Sequence, residues 1–291
     1  MQDNELLKLA DALLQNINAL RVEVRRNSGY LARREIAALL DELEPDRLEH
    51  FGYKVYSQHD EDGILAEIFR RLEVVNGTFC EIGVENGLEC NTLNLLHNGW
   101  RGAWIEGNAS QVDAIVEKFA DLTQRGKLSL AVGFVVAENI NSALSAALAP
   151  IGIDPGSLDL LSIDVDGMDV YLLEALETAP KVIVIEYNAK FPPPTKRKPV
   201  YDAGNVWKGT DYMGSSLSAI HESSLRKGYQ LVATNINGTN AFLVRRDLVQ
   251  DRFRFELTPE NLYNPPRYWL YLDHFAWGIG HGADFGPYVD S

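Results

Sequence analysis

An apolar stretch that stops at a glycine, Thr78-Phe79-Cys80-Glu81-Ile82-Gly83-Val84-Glu85-Asn86-Gly87, is followed at Gly102-Ala103-Trp104-Ile105-Glu106 by a second apolar run ending in an acid. This order predicts strand, tight turn, helix and strand, the opening unit of a nucleoside-binding α/β fold. Gly83 and Gly87 supply the backbone freedom that such a turn and a close approach demand. Glu106, at the end of the second strand, is placed to accept hydrogen bonds from both hydroxyls of a ribose.

A dinucleotide site places a pyrophosphate on backbone N–H groups and uses Gly-x-Gly-x-x-Gly to do so, yet Glu85 and Leu88 stand at the second and third glycine positions. A carboxylate beside a pyrophosphate is repulsive. S-adenosylmethionine (SAM) carries no phosphate, and its sulfonium and ammonium groups tolerate acidic neighbours.

From Tyr56 onward short apolar runs alternate with helical patterns, with strands expected near 78 to 82, 102 to 106, 128 to 136, 158 to 164 and 181 to 187. Such alternation implies a parallel sheet covered on both faces. Two further runs, near 229 to 235 and 240 to 245, are joined by Ile236-Asn237-Gly238-Thr239, where Asn-Gly signals a hairpin. The expected fold is α/β: a Rossmann-like, seven-stranded, mostly parallel sheet closed by an antiparallel hairpin, with N-terminal helices added.

Several blocks together resemble a family. Tyr56-Ser57-Gln58 with Glu61-Asp62-Gly63-Ile64, the glycine turn, Leu160-Leu161-Ser162-Ile163-Asp164-Val165-Asp166-Gly167, Val184-Ile185-Glu186-Tyr187-Asn188 and Asn240-Ala241-Phe242-Leu243-Val244-Arg245 are similar to the class I SAM-dependent methyltransferases, and within them to the FkbM-like group. Glu85 departs from the superfamily pattern at its middle glycine. The resemblance implies SAM as methyl donor and O-methylation of a hydroxyl on a sugar, glycan precursor or secondary metabolite. The closing hairpin belongs to that fold and not to a nicotinamide-dependent oxidoreductase, the competing enzyme class. A third reading is a non-catalytic adaptor that keeps the fold and uses its N-terminal helices for assembly.

Charge and cysteine usage narrow the partners. With 27 Lys and Arg against 41 Asp and Glu, the net charge of −14 repels nucleic acid and anionic membranes. No apolar segment approaches the roughly 20 residues of a bilayer span, and no signal-peptide pattern opens the sequence, so a cytoplasmic location is expected. Cys80 and Cys90 form neither a disulfide framework nor a zinc pattern, and read as buried thiols.

Residues 1–50 read as a helical segment. Leu6, Ala10, Leu13, Ile17, Leu20 and Val24 recur at alternating steps of four and three and form one helical stripe. Its partner is either a second helix suggested by Leu31, Ile36, Leu39, Leu40 and Leu43, or the same helix of another subunit in a homo-oligomer. Residues 51–291 form the methyltransferase domain, with a Pro- and aromatic-rich lid over 189–214 and a C-terminal extension containing His274, Trp277 and the glycine-rich 278–282. In the lid, Lys196, Arg197 and Lys198 are either contacts for a phosphorylated or carboxylated acceptor or a solvated turn.

Within the resemblance, the donor pocket is expected to draw on Ser57, Gln58, Glu81, Gly83, Glu85, Gly87, Glu106, Glu138 and Asp164. Glu81 would orient the methionine end of SAM or the loop amides. An alcohol needs a general base, or a metal ion that stabilises its alkoxide. Asp166, Glu186, His59 and His221 are the candidate catalytic groups. Asp164, Glu186 and Asn188 hold positions similar to the Mg²⁺ site of some sugar and catechol O-methyltransferases; hard oxygen ligands suit Mg²⁺ or Ca²⁺. Alternatively Asp164 and Asp166 contact the methionine end of SAM.

Overall fold

A computed structural model describes residues 2–271 and 288–290. The C-terminal features at His274, Trp277 and 278–282 lie outside the described residues. Two compact units emerge, one built on the N-terminal helix with the turn Tyr268–Tyr271, the other on residues 44–267 with the strand at 288–290.

In the first unit, α1 (Gln2–Asp41) is a single helix of 40 residues. The two helices expected from the sequence are therefore one. No proline interrupts residues 2–41, and a side chain at Gly29 would meet nothing within 4 Å, so the Asn27-Ser28-Gly29 segment stays helical on an exposed surface. Leu31 remains exposed, while Ile36, Leu39 and Leu40 are half-buried at the end of α1 that packs against Tyr268–Tyr271. Trp269 Nε1 donates to Glu35 Oε2 at 3.3 Å in the same unit.

The second unit alternates strand and helix. After α2 (Glu61–Arg71) come β1 (Thr78–Ile82), α3 (Leu93–His97), β2 (Arg101–Glu106), α4 (Ala109–Lys118), α5 (Ala120–Gln124), β3 (Leu128–Val132), α6 (Ile140–Leu148), β4 (Leu160–Ile163), α7 (Asp169–Ala175) and β5 (Val182–Glu186). A short β6 (Arg197–Pro199), α8 (Leu217–Arg226), β7 (Tyr229–Thr234) and β8 (Asn240–Arg245) follow. Seven strands form one sheet in the order β3-β2-β1-β4-β5-β8-β7. The first five pair in parallel, and β8 runs antiparallel to both β5 and β7. β6 pairs outside this sheet with β9 (Tyr288–Asp290).

Period-2 alternation buries both faces of the central strands. Ile82, Ile105, Ile163, Ile185 and Leu243 face the layer of α6, α7 and α8, whereas Phe79, Trp104, Leu160, Val184 and Phe242 face α2, α3 and α4. Strands β1, β2, β4 and β5 consequently end in one row, and the loops carrying Gly83, Glu106, Asp164 and Glu186 leave from the same edge of the sheet.

Candidate functional site

The turn after β1 is held by contacts on every side. Gly83 has φ +81°, and a Cβ there would stand 1.8 Å from the carbonyl oxygen of Asp164. Gly87, at φ +70°, packs beside the Trp104 ring. Glu85 is exposed at φ +48°, and its backbone N–H donates to Glu106 Oε2 at 2.8 Å. The other oxygen of Glu106 accepts from Asn108 N at 2.8 Å. A loop amide that could cradle a phosphate is therefore spent on a carboxylate, while half-exposed Glu106 keeps a further lone pair on each oxygen for hydroxyl donors.

Glu81 is buried beneath this turn. One oxygen accepts from Asn91 N (2.8 Å) and Ser162 Oγ (3.3 Å), the other from Thr92 N (3.0 Å) and Thr92 Oγ1 (2.6 Å). Of the two roles expected for Glu81, the organisation of loop amides is the one seen. Burial pushes its carboxyl above the ordinary range, against the pull of those donors.

At the ends of β4 and β5, the carboxylates of Asp164, Asp166 and Glu186 each bring an oxygen to within 4.8 Å of the others. Asp166 is exposed at φ +54°, and its neighbour Asp169 fixes the loop by accepting from Val165 N (3.0 Å) and Gly167 N (2.9 Å). Desolvation and then repulsion from neighbouring acids, Asp166 first for Asp164 and Asp164 first for Glu186, raise these two well above the usual carboxylate range; Asp166 is raised by desolvation and by Glu85 and Glu106. The edge is a basin of negative potential, suited to a cationic ligand. Asn188 also anchors the start of the lid: Nδ2 donates to Asp211 O at 2.8 Å, and Oδ1, an oxygen with two lone pairs, accepts from Lys190 N at 3.1 Å.

Residues 53–62 form a second structured lip. Asp62 Oδ2 accepts from the N–H groups of Val55, Tyr56 and Ser57 and from Ser57 Oγ, at 2.7–2.9 Å. Gln58 is exposed; His59 is buried and its backbone N–H donates to Glu61 Oε2 at 2.7 Å. Asp60 and Glu61 reach the closing hairpin, where they accept from the side-chain amides of Asn235 and Asn240. Glu61 and Asp62 enter the sequence reading only as part of the resemblance and Asp60 not at all, although three successive acids ahead of an apolar helix pattern mark a helix start.

Burial and then the adjacent Glu61 raise Asp60 from 3.8 to about 7. A carboxyl raised on folding costs nothing below its unfolded value, and destabilises progressively as pH climbs through the window to the folded value. Wild-type stability should therefore fall between pH 4 and 7 by an Asp60 contribution on the order of 3 kcal/mol. Asp60→Asn keeps an oxygen for Asn235 and removes the titration, so urea unfolding across that window should show a flatter slope in the variant. Equal slopes would contradict the assignment.

The remaining predicted residues are dispersed. Glu138, exposed after β3, accepts a hydrogen bond from Tyr201 of the lid, and Asn205 Nδ2 donates to Asp166 O at 3.0 Å. The lid thus lies against the loops that follow β3 and β4. His221 sits on α8 with Glu260 and Lys196 as its charged neighbours, and burial lowers its pKa; it is not brought to the three acids. Lys196 and Lys198 pair with Glu222 (2.9 Å) and Glu174 (3.4 Å), and Arg197 lies over the Phe191 ring, so these cations tie the lid to α7 and α8. Cys80 and Cys90 are free, buried and pushed up by desolvation.

Five parallel strands with an antiparallel pair entering beside β5 distinguish this sheet from a dinucleotide-binding one. The chain has the expected Rossmann-like fold closed by an antiparallel hairpin. No family model matches the sequence, and no curated protein matches it. Among solved structures it is similar to a candidate caffeoyl-CoA O-methyltransferase from Staphylococcus aureus (13% identity, TM-score 0.43, covering 74% of this chain and 99% of that one). It is also similar to a candidate O-methyltransferase from Klebsiella pneumoniae (14%, 0.39, 75% and 96%) and to the O-methyltransferase TomG from Streptomyces achromogenes (16%, 0.37, 62% and 76%). These likenesses are too distant to add to the strand order, on which the fold assignment rests. No helix among the described residues is long and apolar enough to cross a membrane.

Proposed function

We propose that this chain is a SAM-dependent O-methyltransferase of the FkbM-like group, acting on a hydroxyl of a sugar, glycan precursor or secondary metabolite. One observation carries the reading: at the ligand-binding edge of a methyltransferase sheet, the turn amide of Glu85 is bonded to Glu106, and three carboxylates converge beside it. That edge disfavours a pyrophosphate and favours a ligand that is cationic at one end and carries vicinal hydroxyls at the other. The two buried, unbridged thiols agree with a reducing, cytoplasmic location.

The donor set fits both groups the reading requires. Glu106 retains acceptor capacity toward a ribose, and Asp164, Asp166 and Glu186 offer the hard oxygens that Mg²⁺ prefers. Bound SAM would supply an electrophilic methyl carbon, and a divalent cation would lower the pKa of the acceptor hydroxyl. Gly83 and Glu81 keep the turn close to β4, and Glu106 orients the ribose. The lid, tied to Glu138 and to the Asp166 loop, excludes water from the acceptor side. Without a cation, a carboxylate of the trio, its pKa raised by burial and neighbouring acids, is the group positioned to take the hydroxyl proton.

The test is release of S-adenosylhomocysteine against a panel of nucleotide sugars and glycosides, with and without chelator. Turnover abolished by chelator and restored by Mg²⁺ is expected. Turnover that survives chelation would remove the metal, and NAD binding in place of SAM would remove the whole assignment.

A further inference from the structure

We propose that α1 is the dimerisation element of this protein, pairing antiparallel with α1 of a second copy. The helix presents an unbroken heptad seam in which Ala10, Ile17, Val24 and Leu31 alternate with Leu6, Leu13, Leu20 and Asn27. A seam of this period, continued for more than three heptads, is what two supercoiled helices interdigitate. It faces solvent: Leu6, Leu13, Leu20 and Leu31 are each 60–63% exposed, and Ile17 and Val24 are 38% and 50% exposed. Within its own unit the turn Tyr268–Tyr271 packs against α1 at the far end, near Glu35, away from this seam.

Area favours a second copy of α1 as the occupant. An aliphatic side chain carries roughly 60–120 Å² of apolar surface. At the exposures seen, the seams of two copies together with the flanking Leu7, Leu9 and Leu14 hold about 1,000 Å², the lower threshold for a biological interface. A helix spanning residues 6–31 is about 39 Å long, so the whole stripe is engaged at once only by another extended helix.

Charge decides the direction. Residues 5–20 carry Glu5 and Asp11 against Lys8, a net −1, whereas residues 21–34 carry five arginines against Glu23, a net +4. A parallel pair stacks the basic halves on each other; an antiparallel pair sets each basic half beside the acidic half of its partner. The four-three spacing reads the same in both directions about the point between Ile17 and Leu20. Reversal therefore matches Leu6 with Leu31, Ala10 with Asn27, Leu13 with Val24 and Ile17 with Leu20, and leaves every apolar knob in register.

The experiment uses the full chain. Sedimentation velocity at micromolar concentration should give twice the monomer mass of 32.5 kDa. Ile17→Glu with Leu20→Glu, placed at the twofold axis so that each copy suffers both changes, should return it to one chain mass. The thermal midpoint of the sheet unit should stay unchanged, because these side chains are exposed within the chain. For direction, Ala10→Cys with Asn27→Cys should yield a covalent dimer under mild oxidation while Ala10→Cys alone yields none; the native thiols are buried and give no background. A monomeric wild type, a higher assembly, or cross-linking by Ala10→Cys alone would each overturn the proposal.

Discussion

Gly83→Ala is expected to destabilise the sheet unit by more than about 4 kcal/mol and to abolish SAM binding. Two costs add. The residue sits at φ +81°, which an L side chain adopts only with strain, of order 1–2 kcal/mol. The new methyl group would then fall 1.8 Å from the Asp164 carbonyl oxygen, and because both partners are backbone, no rotamer change relieves the contact. Relief requires the ends of β1 and β4 to part, which breaks the Asp164 N–H to Ile82 O bond of 3.1 Å and displaces the acids that line the site. Gly126→Ala is the matched control, with φ +63° and nothing within 4 Å of the new atom, so it should cost only about 1 kcal/mol. Equal effects of the two substitutions in urea unfolding would show that the close approach of β1 to β4 is not what requires a glycine.

Glu81→Ala should cost about 3–5 kcal/mol. The carboxylate is 2% exposed and accepts from two backbone N–H groups and two hydroxyls. Its removal orphans the amides of Asn91 and Thr92 at the entry to α3, in a place water does not reach. The loss propagates, since Thr92 Oγ1 also accepts from Trp104 Nε1 at 2.8 Å and so couples the turn to β2. Glu81→Gln keeps one acceptor oxygen and should cost distinctly less. Denaturant unfolding of the pair measures the difference, and a near-neutral Ala variant would mean that these amides find other partners.

The sheet was legible because its signals are local. Period-2 apolar runs, punctuating glycines and the Asn237-Gly238 turn all act over a few residues, and each of the seven sheet strands lies, to within one residue, inside the range those patterns give, although β3 ends at Val132 rather than near 136 and the short β6 and β9 carry no such signal. What escaped depends on partners distant in the sequence. Lys196 and Lys198 look like free cations until α7 and α8 bring Glu174 and Glu222 beside them. Asn188 reads only as a candidate ligand until the lid returns to bond both ends of its amide, a structural role that the sequence does not show. Asp60 and Glu61 look like ordinary helix-start acids until the hairpin supplies Asn235 and Asn240, more than 170 positions away. The reverse holds in α1, where two apolar patterns that suggest two helices lie on one, and Gly29 between them is tolerated because nothing lies within 4 Å of the place its side chain would take.

The pocket between the Gly83 turn and Glu106 is tested most directly by calorimetric titration of SAM into the wild type, Glu106→Ala and Glu106→Gln. Wild-type binding is expected, weakened in Glu106→Ala by roughly 1–3 kcal/mol, or about 5- to 150-fold in Kd, through lost hydrogen bonds to the ribose and to the Glu85 amide. Glu106→Gln should fall between the two, since one acceptor oxygen remains. A Kd for SAM that is the same in all three proteins would place the nucleoside elsewhere and contradict the methyl-transfer reading.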